Sequence, residues 1–177
     1  MSAVKHQGAD GRYLGFRLGD ELFGVPIAMV REIIGAIDIT RVPNSPTFVE
    51  GVVNLRGKIV PMVDLRRKYQ MTVKGFTKET CFIIIDVEEK QIGVVVDSVS
   101  QVVDFTEDEV ETSGDMGDWQ NMNHLIGMGK MEDHVYILVD LSVALSKDQL
   151  GAVLQNSPDS VPEGHLEADN LSLKAAG

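Results

Sequence analysis

Four aspartates stand where apolar segments end, and two carboxyl groups at one site could act as a general acid and a general base. They are Asp64, Asp86, Asp97 and Asp140. However, no histidine, serine or lysine recurs beside all of these positions to complete a mechanism. An aspartate after a strand commonly caps a turn or a helix through its side chain. We therefore favour capping, and keep an acidic hydrolase as one alternative function.

Histidines and glycines give no pattern typical of a metal or phosphate site. His6, His124, His134 and His165 are far apart, and none has metal-ligand spacing with another ligand. The segment Gly127-Met128-Gly129-Lys130 lacks both the full spacing of a phosphate-binding loop and the helix that should follow. We expect no catalytic residue, no cofactor and no metal.

The charge of the chain limits the class of partner. The net charge is −11 over 177 residues, whereas binding to nucleic-acid phosphates requires a concentrated basic face. The only dense basic run, Arg66-Arg67-Lys68, is interpreted as a solvated turn. A small nucleic-acid-binding barrel is therefore a disfavoured second alternative, and no nucleic-acid partner is expected.

The sequence is typical of a cytoplasmic protein. Cys81 is the only cysteine, so an intrachain disulfide is impossible and the thiol suits a reducing compartment. The first residues lack the apolar core of a signal peptide, and no run approaches the roughly 18 apolar residues of a membrane span. We predict no direct membrane insertion.

Short strands joined by tight turns account for most of the chain. The predicted hairpins pair Tyr13–Leu18 with Leu22–Val25, Val49–Leu55 with Ile59–Leu65, Thr80–Val87 with Gln91–Val96, and Leu125–Met128 with His134–Val139. A short helix is predicted over residues 27–34, a strand over 37–42, and a helix after Asp140. Thr106 and Glu109 have the spacing of a capping box before a further turn of helix.

Hairpins without intervening helices predict an all-β fold with minor helices, built as small closed barrels. The continuous apolar runs Ile83-Ile84-Ile85 and Val94-Val95-Val96 indicate strands covered on both faces. Residues 58–65 resemble residues 135–141, which suggests two similar halves. We expect a flexible start over residues 1–10, a folded domain over 11–155 and an acidic, disordered tail over 156–177.

One predicted turn carries two cations on an otherwise acidic chain. Arg56-Gly57-Lys58 joins the apolar runs Val49–Leu55 and Ile59–Leu65, and Gly57 allows the tight turn. Two cations presented together by an acidic protein indicate either a partner that binds them or a chance arrangement.

Several segments together resemble the CheW family of chemotaxis coupling proteins. They are FRLGDELFGVPIAMVREIIG, TRVPNSPTFVEGVVNLRGKIVPMVDLR, IGVVVDSVSQVV, LIGMGK and YILVDL, and the resemblance as a whole covers roughly residues 12–147. The part containing Asn54-Leu55-Arg56-Gly57 is the most specific. The resemblance implies two SH3-like β-barrels packed on a shared hydrophobic core, without catalytic activity. It also implies an adaptor that joins the cytoplasmic tips of chemoreceptors to the regulatory domain of the CheA-type histidine kinase.

The same resemblance suggests which residues contact each partner. The family's receptor-contacting positions fall on Val30, Glu32 and Arg56 of this sequence. Its kinase-contacting positions fall on Ile39 and Met116. Family members often carry an aromatic residue at the position of Met116, although methionine also suits an adaptable interface.

Overall fold

The structure, a computed structural model, describes residues 10–112 and 124–145. Over these residues the chain forms short strands, two one-turn α-helices and two 3-10 turns. In chain order the strands are β1 (Gly11–Leu18), β2 (Glu21–Pro26), β3 (Val30–Gly35), β4 (Val49–Leu55), β5 (Lys58–Asp64), β6 (Cys81–Val87), β7 (Lys90–Val96), β8 (Ser98–Phe105), β9 (Val110–Thr112), β10 (Leu125–Met131) and β11 (His134–Val139). The helices are α1 (Leu65–Lys68) and α2 (Leu141–Ala144), and the 3-10 turns cover Ile27–Met29 and Glu107–Glu109.

The strands form two sheets, one from the consecutive strands β3 to β7 and the other from strands at both ends of the described chain. Sheet A has the order β8-β1-β2-β11-β10-β9, and sheet B has the order β3-β6-β7-β5-β4. After the hairpin β1–β2 of sheet A, the chain crosses and β3 pairs with β6 of sheet B. After the hairpin β6–β7 of sheet B, it crosses back and β8 pairs with β1 of sheet A. The four predicted hairpins and the all-β class are confirmed.

The two sheets repeat the same local geometry, as the similar sequence segments predicted. Each sheet contains one parallel pair of strands. In sheet B, β5 runs parallel to β7, with Met62 opposite Gly93. In sheet A, β11 runs parallel to β2, with Leu138 opposite Gly24. Both β4 and β10 begin with a register irregularity, and they share one burial pattern. The repeat therefore extends from sequence to register and packing.

Apolar side chains form one core between the sheets and one within each sheet. The shared core takes residues from both sheets, among them Leu14, Phe16, Val25, Ile83, Ile85, Val94 and Val139. The core of sheet A contains Tyr13, Phe105 and Tyr136, whereas that of sheet B contains Val60, Met62, Phe82, Ile84 and Val95. Because Ile83 and Ile84 point to different cores, the continuous apolar runs are covered on both faces, as predicted.

Two predicted elements are wrong. Residues 27–34 form a 3-10 turn followed by β3, because the β-branched residues Val30, Ile33 and Ile34 favour a strand once β6 offers an antiparallel partner. Residues 37–42 do not form a strand. Thr40 alone makes an isolated bridge to Val52, and its amide donates to the Val52 carbonyl at 2.9 Å.

Helices begin after two of the strand-end aspartates, as predicted, and each of these helices has four residues. Asp64 and Asp140 are the N-caps of α1 and α2, and each side chain accepts a hydrogen bond from the amide two residues later. The amide of Thr106 donates to Glu109 Oε2 at 2.9 Å, at the start of a 3-10 turn. Among the described residues, no helix has the length and apolar character needed to cross a membrane.

Candidate functional site

The cationic turn between β4 and β5 is a two-residue loop. Leu55 pairs with Lys58, and the two residues between them, Arg56 and Gly57, have φ of 53° and 84°. Positive φ at both central positions is the geometry that joins two strands without splaying them, and glycine adopts it readily. Asn54 Oδ1 accepts a hydrogen bond from the Gly57 amide at 2.8 Å. The turn therefore holds the Arg56 side chain outward, where 71% of its surface is exposed.

Arg56 forms a bidentate ion pair with Glu32 of β3. Arg56 Nη1 donates to Glu32 Oε2 at 3.2 Å, and Nη2 donates to Oε1. The hydrogen bond raises the pKa of Arg56 and lowers the pKa of Glu32. Exposed pairs of this kind add little stability. The main effect of the Arg56–Glu32 pair is geometric, because it joins β3 to the β4–β5 hairpin, and these lie at opposite edges of sheet B.

A bulge separates Val30 from Glu32 on β3. Val30 is opposite Ile85 of β6, and Glu32 is opposite the next residue, Ile84, so Arg31 is extra. Paired residues share a face of the sheet. Val30 therefore lies on the side of the shared core, where it is half-buried, and Glu32 lies on the side of the sheet B core. The structure brings Glu32 and Arg56 together and places Val30 on the opposite face of the same edge strand.

The equivalent turn in sheet A has the opposite charge. Glu132 and Asp133 join β10 to β11, and Glu132 has the same φ of 53° as Arg56. The position that matches Arg56 in the repeat therefore carries an anion. Of these two equivalent turns, the one at Arg56 has the side-chain donors needed to bind a carboxylate or carbonyl group.

The two predicted kinase-contacting residues differ in what the structure shows. Ile39 is half-buried and packs against the sheet B core. Its neighbour Ile37 is the exposed apolar residue of this segment, with 42% of its surface accessible. Met116 lies outside the described residues.

Sequence reasoning missed a buried cation in the basic run after β5. The run was predicted to be a solvated turn, but Arg66 has only 1% of its side chain exposed. Its Nε and Nη2 atoms donate to the two carboxylate oxygens of Asp64 at 3.0 and 2.9 Å. Its Nη1 atom donates to Asp97 Oδ1 at 2.8 Å and to the Lys74 carbonyl at 2.9 Å. Asp64 and Asp97, each at the end of a strand, were the signal in the sequence for a nearby partner cation.

The four strand-end aspartates are held by structural contacts. Asp64 and Asp140 cap helices, Asp97 accepts from Arg66 and from the Gly19 amide, and Asp86 pairs with Arg31 at 3.1 Å. These contacts account for the carboxylates without an acid–base mechanism. Within residues 10–112 and 124–145, no group of three or more histidine, cysteine or acidic side chains is placed to hold a metal ion.

Comparison with known proteins places this architecture in one family. The profile of the CheW-like domain matches residues 12–149. The chemotaxis protein CheW of Klebsiella aerogenes is 34% identical over 153 residues, which cover 86% of this chain and 89% of that protein. The chemotaxis protein CheW of Rhizobium meliloti is 31% identical over 149 residues, covering 84% of this chain and 96% of that protein.

A solved structure agrees with the sequence comparison. The crystal structure of the scaffolding protein TtCheW from Thermoanaerobacter tengcongensis superposes with a TM-score of 0.68 at 30% identity. The match covers 74% of this chain and 89% of that one. Fold, sequence and strand-end chemistry agree, and the chain belongs to the CheW family of non-enzymatic chemotaxis scaffolding proteins.

Proposed function

We propose that this protein acts in the cytoplasm as an adaptor that couples the cytoplasmic tips of chemoreceptors to the regulatory domain of a CheA-type histidine kinase. One observation supports the receptor half most directly. Arg56 is presented by a rigid two-residue turn, is largely exposed and is oriented by Glu32. A planar guanidinium oriented in this way suits a carboxylate or carbonyl group of a receptor helix.

Each proposed receptor residue has a distinct task. Arg56 supplies hydrogen-bond donors, and Glu32 fixes the plane of its guanidinium. Val30, half-buried at the edge of the shared core, supplies apolar contact for the face of an amphipathic helix. Because Val30 and Glu32 lie on opposite faces of β3, the receptor helix would lie across this edge strand.

Kinase binding is proposed at separate positions, Ile39 and Met116. Ile39 belongs to the segment that bridges to β4 through Thr40, and Ile37 adds exposed apolar surface beside it. Receptor and kinase bound at separate positions of one folded unit would be held at fixed geometry. A change in receptor position could then alter kinase activity.

Charge reversal at Arg56 tests the proposal. Arg56→Glu should weaken binding to receptor fragments in sedimentation assays by about tenfold or more, because it places two anions together and removes the donors. Binding to the purified kinase regulatory domain should stay within about twofold, since a distant rim charge has little effect on affinity.

Arg12→Glu is the matched control. Arg12 is also exposed and also pairs with a carboxylate, that of Asp104 at 2.9 Å, but it lies on sheet A. The Arg12→Glu variant should leave receptor binding unchanged. Equal loss of receptor binding in both variants would show that net charge decides binding, and loss of both partners in Arg56→Glu alone would place the site elsewhere.

A further inference from the structure

Asp97 lies at a crossing point between the two sheets. Strand β7 of sheet B ends at Val96, and strand β8 of sheet A begins at Ser98. Asp97 is therefore the single residue over which the chain passes from one sheet to the other. A side-chain contact made here acts on the angle between the sheets.

The carboxylate of Asp97 is shared between the two sheets. On the sheet B side, its Oδ1 atom accepts from Arg66 Nη1 at 2.8 Å. On the sheet A side, its Oδ2 atom accepts from the amide of Gly19, in the β1–β2 turn, at 2.6 Å. The amide of Asp97 also donates to the carbonyl of Arg17 at 3.0 Å. One residue thus bonds to both sheets at the crossing.

Arg66 is held rigidly by its other contacts. Its bidentate bond to Asp64 fixes the guanidinium plane at the end of β5, and Asp64 is itself fully buried. The hydrogen bonding that Arg66 donates to the Asp64 carboxylate is the main reason that the pKa of Arg66 is raised despite burial. The remaining contact reaches the Lys74 carbonyl, so the same group also anchors the loop between α1 and β6.

The repeat lacks this arrangement in its other half. The residue that matches Arg66 is Ser142, whose amide bonds to Asp140. The other crossing, from β2 to β3, consists of a 3-10 turn over Ile27–Met29. Of the two described crossings, the ionic contact fixes the one at Asp97.

We propose that Arg66 and Asp97, termed the crossover pair, are positioning residues that set the orientation of sheet A relative to sheet B, and that receptor-dependent kinase stimulation requires this orientation. The proposal rests on the adaptor function above. Buried ionic groups add little net stability because desolvation offsets their attraction, but they favour one geometry when every partner is present. Without the pair, the two sheets would keep their apolar core but lose their fixed angle.

Asp97→Ala separates positioning from folding. Asp97 has 30% of its side chain exposed, so its removal leaves Arg66 with Asp64 and the Lys74 carbonyl as partners. The amide of Gly19 should then exchange with solvent about tenfold faster, since it loses its acceptor. Affinities for receptor fragment and kinase domain, measured one at a time, should change by less than about twofold, whereas receptor-dependent kinase stimulation should fall by about fivefold or more.

Asp104→Ala is the matched control, and Asp97→Asn is a second variant. Asp104 is also an aspartate paired with an arginine, Arg12, but it lies near the far end of β8, away from the crossing. Asp104→Ala should change neither Gly19 exchange nor kinase stimulation. The amide of asparagine keeps one acceptor for the two donors, so Asp97→Asn should give intermediate values in both measurements.

Two results would overturn the inference. Unchanged kinase stimulation in Asp97→Ala would show that stimulation does not require the pair. Parallel loss of both separate affinities and of thermal stability would show that the pair only supports the fold. If the wild-type chain stimulates no kinase, the adaptor function fails instead, and Gly19 exchange alone then decides whether the pair fixes the crossing.

Discussion

Asp64 and Asp140 occupy equivalent positions in the two halves and bond in the same way. Each comes directly after a strand, and each side chain accepts from the amide two residues later at 2.9 Å. They differ in their further contacts, because Asp64 also holds the buried guanidinium of Arg66. The cap at Asp64 therefore also holds a buried ion pair with Arg66.

This difference predicts unequal effects of removing the two caps. Asp140→Ala should lower the free energy of unfolding by about 1 kcal/mol, the usual cost of losing an N-cap. Asp64→Ala should cost about 3 kcal/mol or more, since it also leaves a buried cation with too few partners. Urea unfolding of both variants measures the difference, and equal midpoints would contradict it.

Removing the buried cation should also be costly. Arg66→Met leaves the buried carboxylate of Asp64 without its bidentate partner, which should cost about 3–5 kcal/mol of unfolding free energy. Arg67→Met at the neighbouring position is the control. Arg67 is 40% exposed, and its Nε atom lies 3.4 Å from Glu50 and 3.7 Å from Asp64. Loss of these longer contacts should cost less than about 1 kcal/mol. Thermal unfolding of the two variants checks the contrast.

Two equivalent glycines allow a close backbone approach. A Cβ atom at Gly51 would lie 2.1 Å from the Thr40 carbonyl oxygen, and one at Gly127 would lie 2.4 Å from the Glu111 carbonyl oxygen. Gly51→Ala and Gly127→Ala should each cost about 1–3 kcal/mol, because backbone atoms cannot move aside easily.

Gly35→Ala is the control for these two substitutions. A Cβ atom at Gly35 has nothing within 4 Å, so the change should stay within about 0.5 kcal/mol. Denaturant midpoints for the three variants make the comparison. A similar loss at all three positions would show that close packing at Gly51 and Gly127 is not the cause.

His124 should make stability depend on pH. Its ring stacks on Tyr69 at 5.5 Å between centroids, and burial, followed by the charge of Lys68, lowers its pKa below the ordinary 6.5, although Asp140 opposes this. The folded state therefore binds the proton less readily than the unfolded state. His124 should contribute no penalty above pH 6.5 and should destabilise the fold as pH falls below it.

The substitution His124→Phe isolates this effect. Phenylalanine keeps a ring for the stack but cannot be protonated. The wild type should therefore lose more unfolding free energy than the variant between about pH 8 and pH 5. Denaturant unfolding at both pH values tests this, and identical losses would exclude His124 as the cause.

The hairpins and the doubly covered strands were predictable because they depend on local pattern. Turn residues such as Gly57 separate apolar runs, and runs such as Ile83-Ile84-Ile85 have no polar face to expose. The conformation of residues 27–34 was not predictable in this way, since Ile27, Val30 and Ile34 also fit helical spacing. Its partner strand β6 lies far along the chain, and that pairing decides the conformation.

The site shows the same limit. The resemblance placed Glu32 and Arg56 at one surface, but their direct ion pair depends on how β3 and the β4–β5 turn meet in three dimensions. Arg66 was misjudged because a run of three cations gives no indication of which side chain points inward. Its partner Asp97 lies 31 residues away, beyond any local pattern.

Sheet A combines strands from before and after sheet B in the chain, so the molecule cannot be dissected into autonomous modules. A fragment that ends before β8 removes the neighbour of β1, and a fragment that begins after β3 removes the neighbour of β6. Either cut exposes a sheet edge and opens the common core. Despite its duplicated appearance, the protein should therefore melt in one cooperative transition, with neither half surviving alone.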